Sequence, residues 1–475
     1  MKNPVNDAVV VGAGPNGLAA AITMQSKGLQ VLLMEEKDTL GGGLRSAQLT
    51  LPGFIHDCCS SVYPLAVQSA FFDSVPLEKF GATFIYPPAF AAHPFTDGTA
   101  VTLYPSIAKT VSLFAEDDKL YKDLTEPMLA DWPAIREAFL APLHFPAALG
   151  KAIRFGSKGM VSAQRLAGKF HSEKLKAVWA GMAAHSMLPL DRLSTAAFGL
   201  MMLLMGHDKG WPIVRGGAQS LTDAMAKYFV SMGGEIRRGT KVESLGQLPK
   251  ARAILLDLGP REILKIASDN LSSFFRRQLQ HWHYGMGVYK VDWALSEPIP
   301  YSAGACRESA TVHLGNSLEQ ILSSEAGAWN GKMAEDPFII LTQPSLFDQR
   351  APNNQHTAWA YCHTPNGYTG PLTHVIEEQI ERYAPGFRDC ILARYESTPV
   401  DLEKYNPNYV GGDINGGSLN LGQLFTRPVY GWGAYKTSNP HIYICSASTP
   451  PGGGVHGLCG FFAAKKAMRD IFHML

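Results

Sequence analysis

Hydrophobic positions near the start of the chain change period twice. Ala8-Val-Val-Val11 is an unbroken apolar run, the pattern of a strand covered on both faces. An alanine-rich stretch from Leu18 to Ser26 reads as a helix ended by Gly28, and Leu29 to Met34 returns to an apolar strand closed by Glu35. Farther along, Leu221, Met225 and Phe229 repeat at helical spacing up to Gly233-Gly234, and Glu235-Ile-Arg-Arg reads as a strand. Residues 106–204 read mostly as helix, whereas 281–295, Phe338 to Thr342 and Thr357 to Cys362 alternate as strands do. At the far end His441 to Cys445 predicts a short strand, with an alanine-rich helix from Phe461 to about Phe472.

The turns between these elements carry the chemistry. Gly12-Ala-Gly14-Pro15-Asn16-Gly17 is a GxGxxG loop between the first strand and helix. Gly12 permits the tight turn, Gly14 lets backbone approach a pyrophosphate, and Gly17 allows close packing of helix on strand. The helix N-terminus offers unpaired N–H groups to phosphate. Glu35 suits a ribose 2′-hydroxyl and repels a 2′-phosphate. This unit alone does not separate NAD from FAD. A second glycine cluster follows, Glu36-Lys37-Asp38-Thr39-Leu40-Gly41-Gly42-Gly43-Leu44-Arg45, where a longer diphosphate-linked cofactor would run on. Near the C-terminus Ser446-Ala447-Ser448-Thr-Pro-Pro-Gly-Gly-Gly454-Val455-His456-Gly457 again joins a strand to a helix N-terminus. No second GxGxxG occurs, so this segment reads as a cover over the other end of the same cofactor.

These motifs, with Leu51-Pro-Gly-Phe-Ile-His-Asp57 and Ser60-Ser61, resemble FAD-dependent oxidoreductases of the phytoene dehydrogenase-like group. That group comprises relatives of the carotenoid desaturases, with amine oxidases more distant. The likeness is strongest to the branch that includes pyridine nucleotide-disulfide oxidoreductase domain-containing protein 2. Gly210 to Gly217, Ile254 to Asp257 and Tyr409 to Asp413 extend it over essentially the whole chain. The resemblance implies an α/β fold in which a Rossmann-type FAD-binding domain is interleaved with an α+β substrate domain. The expected pieces are 1–75, 206–262 and 405–475 for FAD, and 76–205 and 263–404 for substrate. It implies FAD contacts from Gly12, Gly14, Pro15, Asn16, Gly17, Glu35, Glu36, Lys37, Gly42, Gly43, Leu44, Arg45, Val242, Ser446, Ala447, Gly454, Val455 and His456. Two departures are visible: Ser446 stands where many relatives carry glycine, and the segment from Val242 to Arg252 is short.

Composition narrows the partners. The 475 residues suggest about three domains or two large ones, and 17% charged residues with a net charge of +1 argue against disorder and nucleic-acid binding. Seven cysteines without a CxxC pair point to a reducing compartment, and vicinal Cys58-Cys59 read first as small packing residues. No signal peptide is expected, and the apolar run from Ser194 to Gly206 is too short to span a bilayer. The expectation is a cytoplasmic protein. No metal-ligand spacing stands out.

Residues 138–172 contain no acid. Lys151, Arg154, Lys158, Arg165 and Lys169 there alternate with Phe139, Leu140, Phe145, Leu149, Ile153, Phe155, Met160 and Val161. Two readings stand, a solvated helix face over a core or peripheral contact with a membrane. For acid–base work the candidates are His456, inside the C-terminal glycine motif, and His363, at the end of a strand; His56, His281 and His313 read as structural or exposed, and Trp359 and Tyr361 as core aromatics. The reaction implied by the resemblance is hydride transfer from an apolar, isoprenoid- or lipid-like substrate to flavin N5. Alternatives are a flavin-dependent polyene isomerase or a flavoprotein with a binding role. The electron acceptor is not specified by any motif.

Overall fold

The computed structural model describes residues 6–142, 148–430 and 433–474, so Phe145 lies outside the described residues. The principal strands are β1 (Asn6–Val11), β2 (Val31–Met34), β3 (Ala91–Pro94), β4 (Ala100–Leu103), β5 (Glu235–Arg237), β6 (Ala251–Leu256), β7 (Gly287–Leu295), β8 (Thr311–Leu314), β9 (Ile339–Thr342), β10 (His356–Thr364), β11 (Ile391–Ser397) and β12 (Ile442–Ile444). The helices that matter for the site are α1 (Pro15–Gln25), α2 (Trp132–Phe139), α3 (Leu149–Gly159), α4 (Glu173–Ala184), α5 (Thr195–Lys209), α6 (Ala218–Ser231) and α7 (Leu458–Phe472).

A five-stranded sheet runs β12-β6-β1-β2-β5, and all its pairs are parallel. Central β1 pairs Val9 with Leu32 on one side and with Ile254 on the other. Helices pack on both faces, which explains the continuous apolar runs of its strands. Helices α1 and α7 meet through small residues. A Cβ on Gly460 would lie 1.8 Å from the Asn16 carbonyl oxygen, so only glycine permits this approach. Ala19, Ala20, Ala463 and Ala464 are buried in the same core, with Leu221, Met225 and Phe229 of α6.

The second sheet has seven strands in the order β11-β7-β10-β9-β8-β3-β4; the pairings are antiparallel except β8 with β3. Alternation gives it two unlike faces. Tyr289, Val291, Trp293, Val312, Leu314, Ile339, Leu341, Ala358 and Ala360 form one core with Ile376 and Ile380. Lys290, Asp292, Thr311, His313, Thr342, Trp359, Tyr361 and His363 occupy the other face. The short segment after Val242 holds a 3-10 turn, Leu245–Gln247. Between Ile107 and Lys209 the described residues are mostly helical, as the periodicity predicts, and pack around Trp132, Phe155, Trp179 and Trp211.

Candidate functional site

One cavity of about 900 Å³ runs between the two sheets. One end is built by the GxGxxG loop. Gly12 has φ +96°, a conformation that favours glycine, and its N–H donates to the Met34 carbonyl at 2.8 Å. A Cβ on Gly17 would lie 1.9 Å from the Gly12 carbonyl oxygen. The Gly17 N–H donates instead to Asp257 Oδ2 at 2.9 Å. Burial pushes the Asp257 carboxyl up to about 7. Glu35, at the end of β2, accepts from the Ala13 N–H at 2.8 Å and the Lys37 N–H at 3.0 Å. Its carboxylate is thus fixed at the cavity edge, near Val242.

The second glycine cluster closes over this end. Gly42, Gly43 and Arg45 line the cavity. A Cβ on Gly43 would lie 2.3 Å from Tyr409 Oη, and Tyr405 Oη donates to the Gly42 carbonyl at 2.6 Å. The Arg45 guanidinium lies 4.7 Å from the Tyr405 ring centre. Two buried polar atoms here have no protein partner, Asn16 Oδ1 and Arg45 Nε. Such atoms in the wall of a cavity are what a polar, phosphate-bearing ligand would satisfy.

From there the cavity passes Ser60 to Leu65 and the turn from Ser446 to His456, then widens among Phe198, Met201, Met205, Trp211, Trp359 and Tyr361. Residues 57–61 are fixed by a buried network. Asp57 accepts from Ser46 Oγ at 2.7 Å and Ser61 Oγ at 2.6 Å, and pairs with Arg350 at 3.3 Å. Trp359 Nε1–H donates to Ser61 Oγ at 2.8 Å, which ties the cofactor-facing segment to the second sheet. The glycine-lined end, the two unsatisfied polar atoms and the length of the cleft together fit FAD.

The chain from 10 to 74 matches the family model of the NAD(P)-binding Rossmann-like domain. The chain is 26% identical to pyridine nucleotide-disulfide oxidoreductase domain-containing protein 2 of Mus musculus, over 99% of this chain and 94% of that protein. It is 24% identical to phytoene desaturase (neurosporene-forming) of Rhodobacter capsulatus, over 95% and 92% of the two chains. The chain is a homologue of the phytoene dehydrogenase-like oxidoreductases. Its fold is also that of a solved putrescine oxidase bound to putrescine, with a TM-score of 0.62, 18% identity and 99% of both chains covered.

Of the residues expected at this homologue's cofactor, Gly12, Gly14, Pro15, Asn16, Glu35, Glu36, Gly42, Gly43, Arg45, Val242, Ser446, Ala447, Gly454, Val455 and His456 line the cavity. Gly17 stands behind the loop through its bond to Asp257, Leu44 is buried in the core, and Lys37 pairs with Glu36 at 3.2 Å.

Both acid–base candidates are hydrogen-bonded within the chain. His456 Nδ1 accepts from the Leu458 N–H at 3.0 Å, so Nε2–H donates to the Gly452 carbonyl at 3.1 Å. Both nitrogens are therefore used, and burial pushes its pKa down to about 4. This histidine staples the turn. His363 is buried outside the cavity wall with Nδ1 2.7 Å from Glu325 Oε2. Trp359 and Tyr361, expected in the core, face the cavity and stack at 5.7 Å. Cys58 and Cys59 are unpaired, and burial pushes the Cys58 thiol up to about 12, which suits packing rather than redox work. Sequence reasoning missed Asp257 as a site residue, and also Tyr405, Tyr409 and His185. Asp257 was within reach, since an acid directly after an apolar strand repeats the arrangement of Glu35.

Proposed function

We propose that the protein is an FAD-dependent oxidoreductase that dehydrogenates an apolar substrate. The observation carrying this reading is the single cavity that joins a nucleotide-type loop to an aromatic- and methionine-lined chamber. FAD, when bound, supplies a hydride acceptor. The chain's part is positional. Backbone N–H groups at the start of α1 would hold the diphosphate and Glu35 the ribose, while Arg45 and Asn16 complete the polar cradle. The turn around Gly454 would hold the ring end. Met201, Met205, Phe198 and Trp211 exclude water beside it. Segments 1–75, 206–262 and 405–475 act as the FAD unit, and 76–205 with 263–404 as the substrate unit, a division supported by the origin of the strands in the two sheets.

The substrate is isoprenoid- or lipid-like in this reading, and the mouth of the cavity supports that. Ala138, Phe139, Leu140, Ala152 and Met160 line it, and beside them Leu149, Ile153 and Leu193 are exposed. The Ser194 N–H donates to the Met160 carbonyl at 3.3 Å, which brings Leu193 to this rim. Lys158 and Lys169 lie on the same stretch, although Lys151 and Arg154 are partly neutralised by Asp131 at 3.4 and 2.9 Å. Among the described residues no helix is long and apolar enough to cross a membrane. Peripheral docking at the mouth, on the cytoplasmic side, is the arrangement we propose.

Anaerobic addition of isoprenoid hydrocarbons and alcohols to the FAD-loaded protein tests the reaction. Bleaching of the flavin absorbance with a desaturated product supports dehydrogenation. Product formed only after prior reduction, without net electron use, would replace it with isomerisation.

A further inference from the structure

The chamber is not uniformly apolar. Thr311 and His313 are two residues apart on β8 and so share one face of the sheet. Register extends that face across strands, with Thr311 opposite Thr342 and Trp359 beyond it, and His313 opposite Ile340 and Tyr361 beyond it. Over these rows sits His185, at the C-terminal end of α4. Its Nε2 lies 2.9 Å from His313 Nε2, and its ring meets Trp211 edge-on at 5.6 Å. His185, Thr311, Thr342, Trp211 and Tyr361 line the cavity. Thr311 Oγ1 is buried and has no protein partner.

Two imidazoles in contact through their Nε2 atoms are neutral, one donating and one accepting. Burial keeps them so, pushing His185 down to about 3. With Nε2 taken by His313, Nδ1 is the nitrogen of His185 left for a ligand. Among the described residues, those lining the cavity from 138–211 and from the seven-stranded sheet include no Asp, Glu, Lys or Arg. A pure hydrocarbon would leave Nδ1 and the Thr311 hydroxyl desolvated and unpaired, a cost an oxygen atom removes. A carboxylate or an amine would bring a charge with no counter-charge in this part of the wall.

We propose that the substrate is an uncharged, mostly apolar molecule bearing one hydroxyl or carbonyl oxygen, which His185 and Thr311 hydrogen-bond at the inner end of the chamber. This rests on the apolar-substrate reading and narrows it. His313 acts as a positioning residue that fixes the His185 ring.

The test uses the full-length FAD-loaded chain and a matched pair of long-chain isoprenoids, one a hydrocarbon and one its terminal alcohol, with binding read by tryptophan fluorescence. The alcohol should bind about tenfold or more tightly than the hydrocarbon. H185L and T311V should each reduce that ratio, and the double variant should bring it near unity. H185Q, which keeps a donor and an acceptor, should retain part of it. Equal affinity of wild type for both probes, or a ratio unchanged in the double variant, overturns the inference while leaving the apolar-substrate reading intact. Binding of neither probe would overturn both.

Discussion

Asp257 shows how one side chain can link folding to cofactor chemistry. Its carboxyl sits at the N-terminus of α1, with Gly17 N–H at 2.9 Å, and faces Glu35 and Cys445. Burial raises its pKa from 3.8 to about 7, so the folded cofactor-free chain carries an extra proton between those values. Its contribution to stability therefore falls as pH rises through that window and levels off above it. Denaturant titrations of cofactor-free protein at pH 5.5 and pH 8 should show a smaller loss for D257N than for wild type. An equal loss in both would remove Asp257 as the cause. Gly17 makes a sharper prediction. Its substitution by alanine drives a methyl group to 1.9 Å from a backbone oxygen that cannot swing away. G17A should lose about 3 kcal/mol or more of stability and release FAD, seen as a lower melting temperature and a colourless preparation.

At the level of elements, period explains what could be read and what could not. The β1–α1–β2 unit was legible because runs of unlike period are separated by glycines with definite backbone duties. In the second sheet β7, β9 and β10 were legible as strands as well, whereas β3, β4, β8 and β11 are short or carry mixed polar positions and were not. Register was legible for none of them, because no local pattern states which strand lies beside which. Trp359 and Tyr361 therefore read as core aromatics, although the sheet turns them toward the cavity. His185 escaped notice because it ends a helix whose last two turns, from Ala177 to Ala184, are buried and apolar. Ser61 and Asp57 gave a motif without a reason, and the reason lies far away in sequence, at Arg350 and Trp359. Arg350 keeps Asp348 as a second buried partner at 2.5 Å, so D57A removes one of its two carboxylates and the acceptor of two serine hydroxyls, and should cost about 1–3 kcal/mol. Chemical denaturation would measure it, and a loss below about 1 kcal/mol would mean that the network holds little of the fold.

Across the whole molecule the two ends of the chain meet. Helices α1 and α7 touch through Gly460 and Asn16, so the first and last glycine turns open onto one cavity. Ala152 and Ser194 line that cavity, and their chain neighbours Ile153 and Leu193 are exposed. Sedimentation with vesicles containing anionic lipid should carry the wild type down. I153D, or glutamine at Lys151, Arg154, Lys158, Arg165 and Lys169, should release it several-fold; unchanged binding by both variants would end the docking proposal. The account as a whole depends on the meeting of the two turns around one cofactor. The measurement that bears on it most directly is the absorbance spectrum of the purified chain, with identification of the molecule released on denaturation. The expected result is a flavin spectrum and one FAD per chain, lost in G17A. A folded, colourless chain that takes up no FAD at saturating concentration would contradict it.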